Sequence, residues 1–313
     1  MLVSIVIPCY NSEKSIEEVV ELTRAEFAKL PDYRCEFVLV NDASADGTFE
    51  KIRLLAERFP EVKGINLMRN FGQHNALMAG MNYAAGDWVL GMDDDLQTHP
   101  SQIPALLAKM EEGYDLVYGI YRKSENGAAK NFTSWLNRVS SRRLLGRPKE
   151  ISSSNFWIIT KSVRDEVIKY TGANPYVDGI FYRVTNRIGN VEIEHHKREY
   201  GSSNYTLRKL MKLWLAYFNY SVVPLRFASV LGVTASAVGL VLAVVTVIRK
   251  LADPSMMAGW ASLMSAMVFF FGLVLLVIGI IGEYVGKAVQ ALGNAPQYTV
   301  RETVGVKDRP EHE

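Results

Sequence analysis

Residues 88–95 read WVLGMDDD, an apolar run that ends in three successive aspartates. Short, continuous apolar runs bounded by polar residues are typical of strands buried in a parallel sheet. The pattern recurs at residues 3–7 (VSIVI), 36–40 (EFVLV), 63–68 and 115–119. Segments with helical periodicity separate these runs. The sequence therefore predicts an α/β domain with a mainly parallel sheet that helices cover on both faces.

The predicted helices have recognisable starts. Ser12 is expected to cap the first helix and Asp46 the second, because short polar side chains accept hydrogen bonds from free helical N–H groups. The third helix is predicted over residues 74–84, and Pro100 suits the first turn of a fourth. His74, at the start of the third helix, is expected to be a capping or packing residue.

Carboxylates follow two of the predicted strands. Asp42 comes after 36–40, and Asp93, Asp94 and Asp95 come after 88–92. Ligands of open α/β sheets bind beyond the carboxyl ends of the strands, so these side chains should converge there. Asp42 could accept hydrogen bonds from a nucleobase or ribose, or it could form a turn.

The three aspartates suggest a metal site. Mg²⁺ and Mn²⁺ prefer hard oxygen ligands and often bind one or two carboxylates plus substrate phosphates. Alternate side chains of an extended segment share a face, so Asp93 and Asp95 are the predicted metal pair. Solvated loop aspartates are the alternative interpretation.

The back half is apolar. Residues 205–220 combine basic and aromatic residues at helical spacing, which is typical of a helix at a membrane interface. Residues 227–248 and 254–282 carry no charge, and each exceeds the roughly 20 residues that span a bilayer. A transmembrane hairpin is therefore predicted. More basic residues flank the hairpin than lie in its loop, which favours a cytoplasmic front domain.

Composition and missing motifs narrow the function. The net charge of +2 argues against a nucleic-acid partner. The N-terminus lacks a basic region and is interpreted as a first strand, not a signal peptide. Cys9 and Cys35 lie in or beside apolar runs and are expected to be reduced thiols. No G-x-G-x-x-G follows the first strand, and no P-loop, H-E-x-x-H or G-x-S-x-G motif occurs.

Five segments carry a family resemblance: SIVIPCYNSE at 4–13, VLVNDASADGT at 38–48, NLMRNFGQHNALMAG at 66–80, GMDDDLQTHP at 91–100 and REYGSSNY at 198–205. They resemble the successive motifs of family 2 glycosyltransferases. More narrowly, they are similar to bacterial polyisoprenyl-phosphate glycosyltransferases, which include undecaprenyl-phosphate glucosyl and aminoarabinosyl transferases. The similarity continues into GEYVGK at 282–287 and covers nearly the whole chain.

The resemblance implies a GT-A nucleotide-sugar-binding domain and a role for each matching position. The implied nucleotide-binding residues are Pro8, Tyr10, Asn11, Asp42, Asp93 and Asp94. Asp93 and Asp95 would hold Mg²⁺ or Mn²⁺ and the diphosphate, with Gln97 near the sugar or acceptor. The basic residues implied near the phosphates are Arg122, Lys130 and Arg198, which could otherwise be surface cations.

Three positions depart from the family pattern. The family commonly has Glu where this chain has Ser12, and Lys where it has Asn204. It commonly has an Asp in the stretch that here reads Ser152-Ser153-Ser154-Asn155. These departures leave the sugar specificity open, together with any role copied from those positions.

The resulting hypothesis is an inverting transferase. It would move a sugar from a nucleotide sugar, UDP-linked by expectation, to a polyisoprenyl (undecaprenyl) phosphate at the inner membrane. The expected divisions are a catalytic domain at 1–200, a juxtamembrane region at 201–226, two spans within 227–287 and a cytoplasmic polar tail at 288–313. The sequence leaves open whether the protein forms a homo-oligomer. The alternatives are a processive polysaccharide synthase, whose Q-x-x-R-W motif is missing, and an inactive membrane module that binds a nucleotide sugar or a protein.

Overall fold

A computed structural model describes residues 1–121, 151–194, 259–292 and 295–306, together with scattered positions between 228 and 248. The chain divides into two compact units. The first comprises residues 1–210 and 294–313, and the second comprises residues 211–293. The sheet and the candidate site belong to the first unit.

Strands and helices alternate through the first unit, as the sequence predicts. They are β1 (Leu2–Cys9), α1 (Ile16–Phe27), β2 (Arg34–Asn41), α2 (Thr48–Arg58), β3 (Val62–Leu67), α3 (Gln73–Tyr83), β4 (Trp88–Gly91), a 3-10 turn (Pro100–Gln102), α4 (Ile103–Glu111) and β5 (Leu116–Tyr121). After the gap in the described residues come β6 (Trp157–Thr160), α5 (Lys161–Val167), α6 (Val177–Val184) and β7 (Ile188–Ile193). The second unit contains α7 (Trp260–Leu292), and β8 (Val300–Val304) belongs to the first unit again.

Eight strands form one sheet in the order β7-β5-β6-β4-β1-β2-β3-β8. The pairs β1–β2, β1–β4, β2–β3 and β5–β7 are parallel, whereas β6 and β8 run antiparallel to their neighbours. The prediction of a mainly parallel sheet is confirmed. Strand β1 lies at its centre and is buried on both faces: Ile5 and Ile7 join the main apolar cluster, and Val6 meets α3.

The first helix starts later than predicted. Ser12 is not its cap, because α1 begins at Ile16 with Ser15 in the cap position. The carbonyl oxygen of Ser12 accepts hydrogen bonds from the N–H groups of Ser15 and Ile16, at 3.1 and 3.0 Å, and so closes a turn before the helix. The hydroxyl of Ser12 donates instead to Asp94 in the candidate site. The partner of the Ser12 side chain is thus the carboxylate of Asp94 and not a free N–H group of α1.

Strand β8 was not predicted, and it lies within the stretch interpreted as a polar tail. It pairs antiparallel with β3 and covers the edge that β3 would otherwise present. Glu302 anchors it: one carboxylate oxygen accepts from Asn66 Nδ2 at 3.0 Å, and the other lies 3.2 Å from Arg53 Nη2. Its sequence, VRETV, places charged residues among the apolar ones, as edge strands commonly do.

Helix α7 is the one candidate membrane span in the described part of the chain. It has 33 residues, and its segment Phe269–Gly286 has a mean hydropathy of 2.2. Apolar side chains such as Phe269 and Leu275 are exposed along it. The predicted span at 254–282 overlaps this helix. Only scattered residues of the span at 227–248 are described, and the amphipathic segment 205–220 lies outside the described residues, so the hairpin stays a prediction.

The close approach of α3 to the sheet gives a first prediction. A Cβ atom at Gly80 would overlap a methyl group of Val6 and lie 3.1 Å from Val40 Cγ2. Both valines are buried and stiff, so they cannot move aside cheaply. We expect Gly80→Val to lower the free energy of unfolding by about 1–3 kcal/mol. Thermal unfolding of the purified protein in detergent measures the change.

The control is Ala85→Val, which adds bulk at an exposed position just beyond α3. Its effect should stay within about 0.5 kcal/mol, as for most surface substitutions. Equal stability of the Gly80→Val variant and the wild type would show that α3 does not pack as closely as described.

Candidate functional site

A pocket of about 340 Å³ lies beyond the carboxyl ends of β1, β2 and β4. That volume is at the lower end of the range of small-molecule sites. The pocket is lined by Pro8, Cys9, Tyr10, Asp42, Asn70, Gly72, Gln73, Asp93, Asp94, Asp95 and Asn155. It therefore brings together most of the residues that the sequence and the family resemblance single out, at the edge of the sheet where they were expected.

The loop after β1 forms one wall of the pocket. Tyr10 is 54% exposed, which leaves its ring open to a ligand. Asn11 has a φ of 57°, in the left-handed region that Asn tolerates better than most residues. Its side-chain oxygen accepts from the N–H of Ala45 at 2.9 Å, and its own N–H donates to Ser44 Oγ at 3.0 Å. Asn11 thus braces the loop after β1 against the loop after β2 and is not part of the pocket lining.

Asp42 fixes the loop in front of α3. One of its carboxylate oxygens accepts from the N–H of Phe71 at 2.7 Å and the other from the N–H of Gly72 at 2.8 Å. Burial raises the pKa of Asp42, and the two backbone N–H groups act in the opposite direction. Gly72 has a φ of 91°, a backbone conformation that glycine adopts easily and that would be strained for a residue with a Cβ atom. These two partners lie 29 and 30 residues along the chain, so the contacts of Asp42 are not those of the local turn given as its alternative role.

The three aspartates lie just beyond the end of β4. Strand β4 ends at Gly91, and the chain bends from Asp94 onward, with Leu96 at a φ of 56°. All three residues line the same pocket, and Asp93 and Asp94 have different hydrogen-bond partners. Asp95 also accepts a hydrogen bond from the N–H of Gln97 at 3.1 Å, a contact that closes the turn. The side chain of Gln97 is not part of the pocket lining.

Asp94 connects the loop after β4 to the loop after β1. Its carboxylate accepts from the hydroxyl of Ser12 and from the N–H of Tyr10, the latter at 3.4 Å. Burial raises its pKa, these two hydrogen bonds lower it, and the charge of Asp95 raises it further. Ser12, one of the three departures from the family pattern, thus supplies a neutral donor to this carboxylate.

Asp93 is held by two amides that sequence reasoning missed. Gln73 Nε2 donates to Oδ1 of Asp93 at 2.9 Å, and Asn155 Nδ2 donates to Oδ2 at 2.9 Å. Gln73 is the first residue of α3, and Asn155 precedes β6. Asn155 stands in the stretch flagged as a departure from the family, which was the only sequence signal for it. For Gln73 the signal was its place in the motif at 66–80.

Two serines of the stretch 152–155 form hydrogen bonds outside the pocket. The N–H of Ser152 donates to Asn190 Oδ1 at 2.9 Å, and Asn190 Nδ2 returns a bond of 2.8 Å to the carbonyl of Ser152. The hydroxyl of Ser154 donates to the carbonyl of Gly119 at 2.6 Å. These contacts fix the segment beside β5 and β7, and of the four residues in the stretch only Asn155 lines the pocket.

The donor set fits a hard divalent cation. In the described part of the chain, no three His, Cys, Asp or Glu side chains are arranged to hold a metal ion by themselves. Mg²⁺ and Mn²⁺ do not need such a cage, since they commonly take one or two carboxylates and complete their shell with phosphates and water. Asp93 and Asp95 supply oxygens of that kind at the pocket wall.

His74 belongs to the packing behind the pocket. It lies at the start of α3, and its ring is edge-on to Tyr176, with 5.0 Å between centroids. Burial lowers its pKa, an effect partly offset by the charge of Asp178, and its Nδ1 has no hydrogen-bond partner among the described residues. Of the two roles expected from the sequence, capping and packing, this contact is of the packing kind. The remaining expected site residues, Arg122, Lys130 and Arg198, lie outside the described residues, as does Asn204.

Solved structures share this fold. A crystal structure of glucosyl-3-phosphoglycerate synthase from Mycobacterium tuberculosis with phosphoglyceric acid matches with a TM-score of 0.52 and 20% identity, over 71% of this chain and 79% of that one. The same enzyme with Mn²⁺, UDP-glucose and phosphoglyceric acid matches with a TM-score of 0.51 and 20% identity, over 71% and 78% of the two chains. At this identity the similarity establishes the GT-A fold alone.

Sequence relatives extend over nearly the whole chain. The uncharacterized glycosyltransferase YkcC of Bacillus subtilis is 32% identical, over 98% of this chain and 95% of its own length. The undecaprenyl-phosphate 4-deoxy-4-formamido-L-arabinose transferase of Proteus mirabilis is 31% identical, over 97% and 94%. The sequence model of the family named glycosyl transferase family 2 matches residues 4–172 of this chain. This range includes every residue of the pocket lining. The chain belongs to glycosyl transferase family 2 and is a glycosyltransferase.

Proposed function

We propose that this enzyme transfers a sugar from a UDP-linked donor to undecaprenyl phosphate or a similar polyisoprenyl phosphate, with inversion at the anomeric carbon. The observation that carries the proposal is the pocket lined by Tyr10, Asp42 and the three aspartates at the carboxyl edge of the sheet. The names of the relatives, which include undecaprenyl-phosphate transferases, support the acceptor. The neighbour with bound UDP-glucose supports the donor.

The donor end of the site is acidic. In this proposal Pro8, Tyr10, Asn11 and Asp42 hold the nucleoside, Asn11 by bracing the loop. Asp93 and Asp95 hold the metal, and Asp94 lies next to the diphosphate. When bound, Mg²⁺ or Mn²⁺ supplies Lewis-acid neutralisation of the diphosphate leaving group. Without a cation, three carboxylates at one wall would repel the diphosphate.

The acceptor end needs positive charge more than a base. A phosphate monoester has a second pKa of about 6, so it is largely a dianion at neutral pH and needs no deprotonation before it attacks. Arg122, Lys130 and Arg198 are the proposed clamp for that dianion, since guanidinium groups bind phosphate oxygens in pairs. Gln97 is proposed near the sugar or the acceptor.

The enzyme is proposed to act at the inner membrane with its catalytic unit in the cytoplasm. Helix α7 is long and apolar enough to span a bilayer, and the predicted first span and interfacial helix would complete the anchor. A lipid acceptor keeps its phosphate at the membrane surface, which an enzyme anchored in the same membrane can reach.

The metal proposal predicts which aspartates are essential. We expect Asp93→Asn and Asp95→Asn to reduce transfer at least about 100-fold, because loss of an outer-shell partner alone typically costs 10–100-fold. Asp94→Asn should be milder, since an amide oxygen can still accept from Ser12 or Tyr10. EDTA should inactivate the wild type, and Mg²⁺ or Mn²⁺ should restore it. Transfer of radiolabelled sugar to lipid measures each effect.

The control for the aspartate variants is Asp165→Asn, which neutralises a partly exposed carboxylate on α5 outside the pocket. It should keep wild-type turnover. Full activity of the wild type after exhaustive EDTA treatment would contradict the metal site.

The acceptor is best tested with the intact chain. Truncation before the spans would also remove β8 and expose the edge of β3, so it would confuse anchoring with folding. We expect the full-length enzyme in lipid nanodiscs to glycosylate undecaprenyl phosphate and to leave a soluble phosphate monoester, such as glycerol 3-phosphate, unmodified at equal concentration. Product analysis by thin-layer chromatography and mass spectrometry separates the two. Equal turnover of both acceptors would argue against a membrane-held acceptor site.

The clamp predicts a contrast between a serine and two arginines. Ser152→Ala should keep most activity, because the backbone of Ser152 makes the bonds to Asn190. Arg122→Ala and Arg198→Ala should lose much more, chiefly through a raised KM for acceptor or donor. Steady-state kinetics with both substrates varied gives the comparison. An inactive Ser152→Ala variant beside a normal Arg122→Ala variant would show that the serine stretch has a chemical role.

The same model predicts the pH dependence of turnover. The acidic limb should follow ionisation of the acceptor phosphate near ~6, and the basic limb should show no carboxylate of the enzyme. A profile measured with saturating nucleotide sugar between about pH 5 and pH 9 isolates the acceptor. An acidic limb that stays in place when the acceptor is replaced by a phosphonate of higher pKa would contradict this assignment.

A further inference from the structure

The side chain of Asp93 is held symmetrically. Gln73 Nε2 lies 2.9 Å from one carboxylate oxygen and Asn155 Nδ2 lies 2.9 Å from the other. An ionised carboxylate has about four acceptor sites, and the two amides account for one on each oxygen. Both are hydrogen bonds to a charged acceptor, which are stronger than those between neutral groups.

Each amide comes from a support that the fold holds in place. Gln73 begins α3 directly after Gly72, whose N–H is bound by Asp42. Asn155 stands between Ser154, which is bonded to Gly119, and Phe156, which is 2% exposed. The supports lie on opposite sides of Asp93 in the sequence and belong to different elements. Rotation of the carboxylate would break one bond or the other.

The chemistry of the pair also matters. Neutral amides fix the direction of a carboxylate without adding a positive charge that would compete with a cation. A lysine or arginine at either place would form an ion pair and compete with the metal. A carboxylate at position 155, within hydrogen-bond distance of Asp93, would add like charge and favour protonation of one partner.

We infer that Gln73 and Asn155 are positioning residues that form an amide clamp on Asp93 and orient it toward the metal-diphosphate. This inference rests on the proposed function, since it needs the divalent cation at Asp93. The amide clamp acts through Asp93 and has no direct contact with the reacting atoms. Outer-shell partners of this kind usually change metal affinity or activity by about 10–100-fold when they are removed.

The test measures binding of Mn²⁺ and UDP to the full-length protein, with no sugar transfer involved. The variants are Gln73→Met and Asn155→Leu, which keep approximate size and lose the amide. Ser153→Ala is the matched control, since it lies in the same loop but outside the pocket lining. Titration calorimetry gives the affinity for UDP with and without Mn²⁺, and electron paramagnetic resonance gives the free Mn²⁺. Both substituted side chains are exposed, so the thermal unfolding midpoint should not change.

The clamp predicts that each variant weakens Mn²⁺-dependent UDP binding about 10–100-fold. It also predicts that metal-free UDP binding stays at the wild-type level and that Ser153→Ala resembles the wild type throughout. Kinetics should show a raised Mn²⁺ requirement, with turnover partly recovered at high Mn²⁺.

Three results would overturn the inference, and they differ in whether the proposed metal site is also ruled out. If both variants bind Mn²⁺ and UDP like the wild type, the clamp is wrong and the metal site survives. If they bind UDP normally but have a raised KM for the sugar donor alone, the amides contact the sugar instead. If the wild type binds UDP equally with and without Mn²⁺, the metal proposal fails and the clamp with it.

Discussion

Hydrogen bonds to aspartate carboxylates join the loops from which this site is built. Asp42 binds the loop in front of α3, Asp94 binds the loop after β1, and Asp93 binds both α3 and the segment before β6. The sheet brings the ends of β1, β2 and β4 side by side, but it does not set the shape of the loops beyond them. The carboxylates set that shape, because each of them accepts from backbone or side chain across a gap between elements.

This construction has an electrostatic consequence. The donors that meet Asp42, Asp93 and Asp94 in these contacts are backbone N–H groups, a serine hydroxyl and two amides, all of them neutral. Such donors stabilise a carboxylate but leave its charge in the pocket. Two like charges about 4 Å apart repel by roughly 4 kcal/mol at an effective dielectric constant near 20. The same bonds that shape the site therefore add no positive charge of their own, and a divalent cation would offset the repulsion between the carboxylates.

The sequence predicted the parts of this arrangement that depend on local pattern. Buried parallel strands are apolar on both faces, so β1 to β5 were recognisable, and the aspartates beyond them could be placed at one edge. Strand β8 has two adjacent charged residues at its centre, so its sequence has no distinctive strand pattern. Both β6 and β8 also pair antiparallel with strands far along the chain. Ser12 failed as a cap for a related reason. Its competing partner, Asp94, is 82 residues away.

The neutral stretch before β6 fits the kind of acceptor proposed. An enzyme that activates a hydroxyl needs a base near the acceptor, and an acidic residue there suits it. A phosphate dianion needs no such base, so an acidic residue at this place is dispensable for it. The chain has serines and Asn155 in this stretch, and Asn155 faces Asp93 as a donor. Loss of an acidic group here is therefore compatible with activity. It also removes one negative charge that the proposed cations Arg122, Lys130 and Arg198 would have to offset.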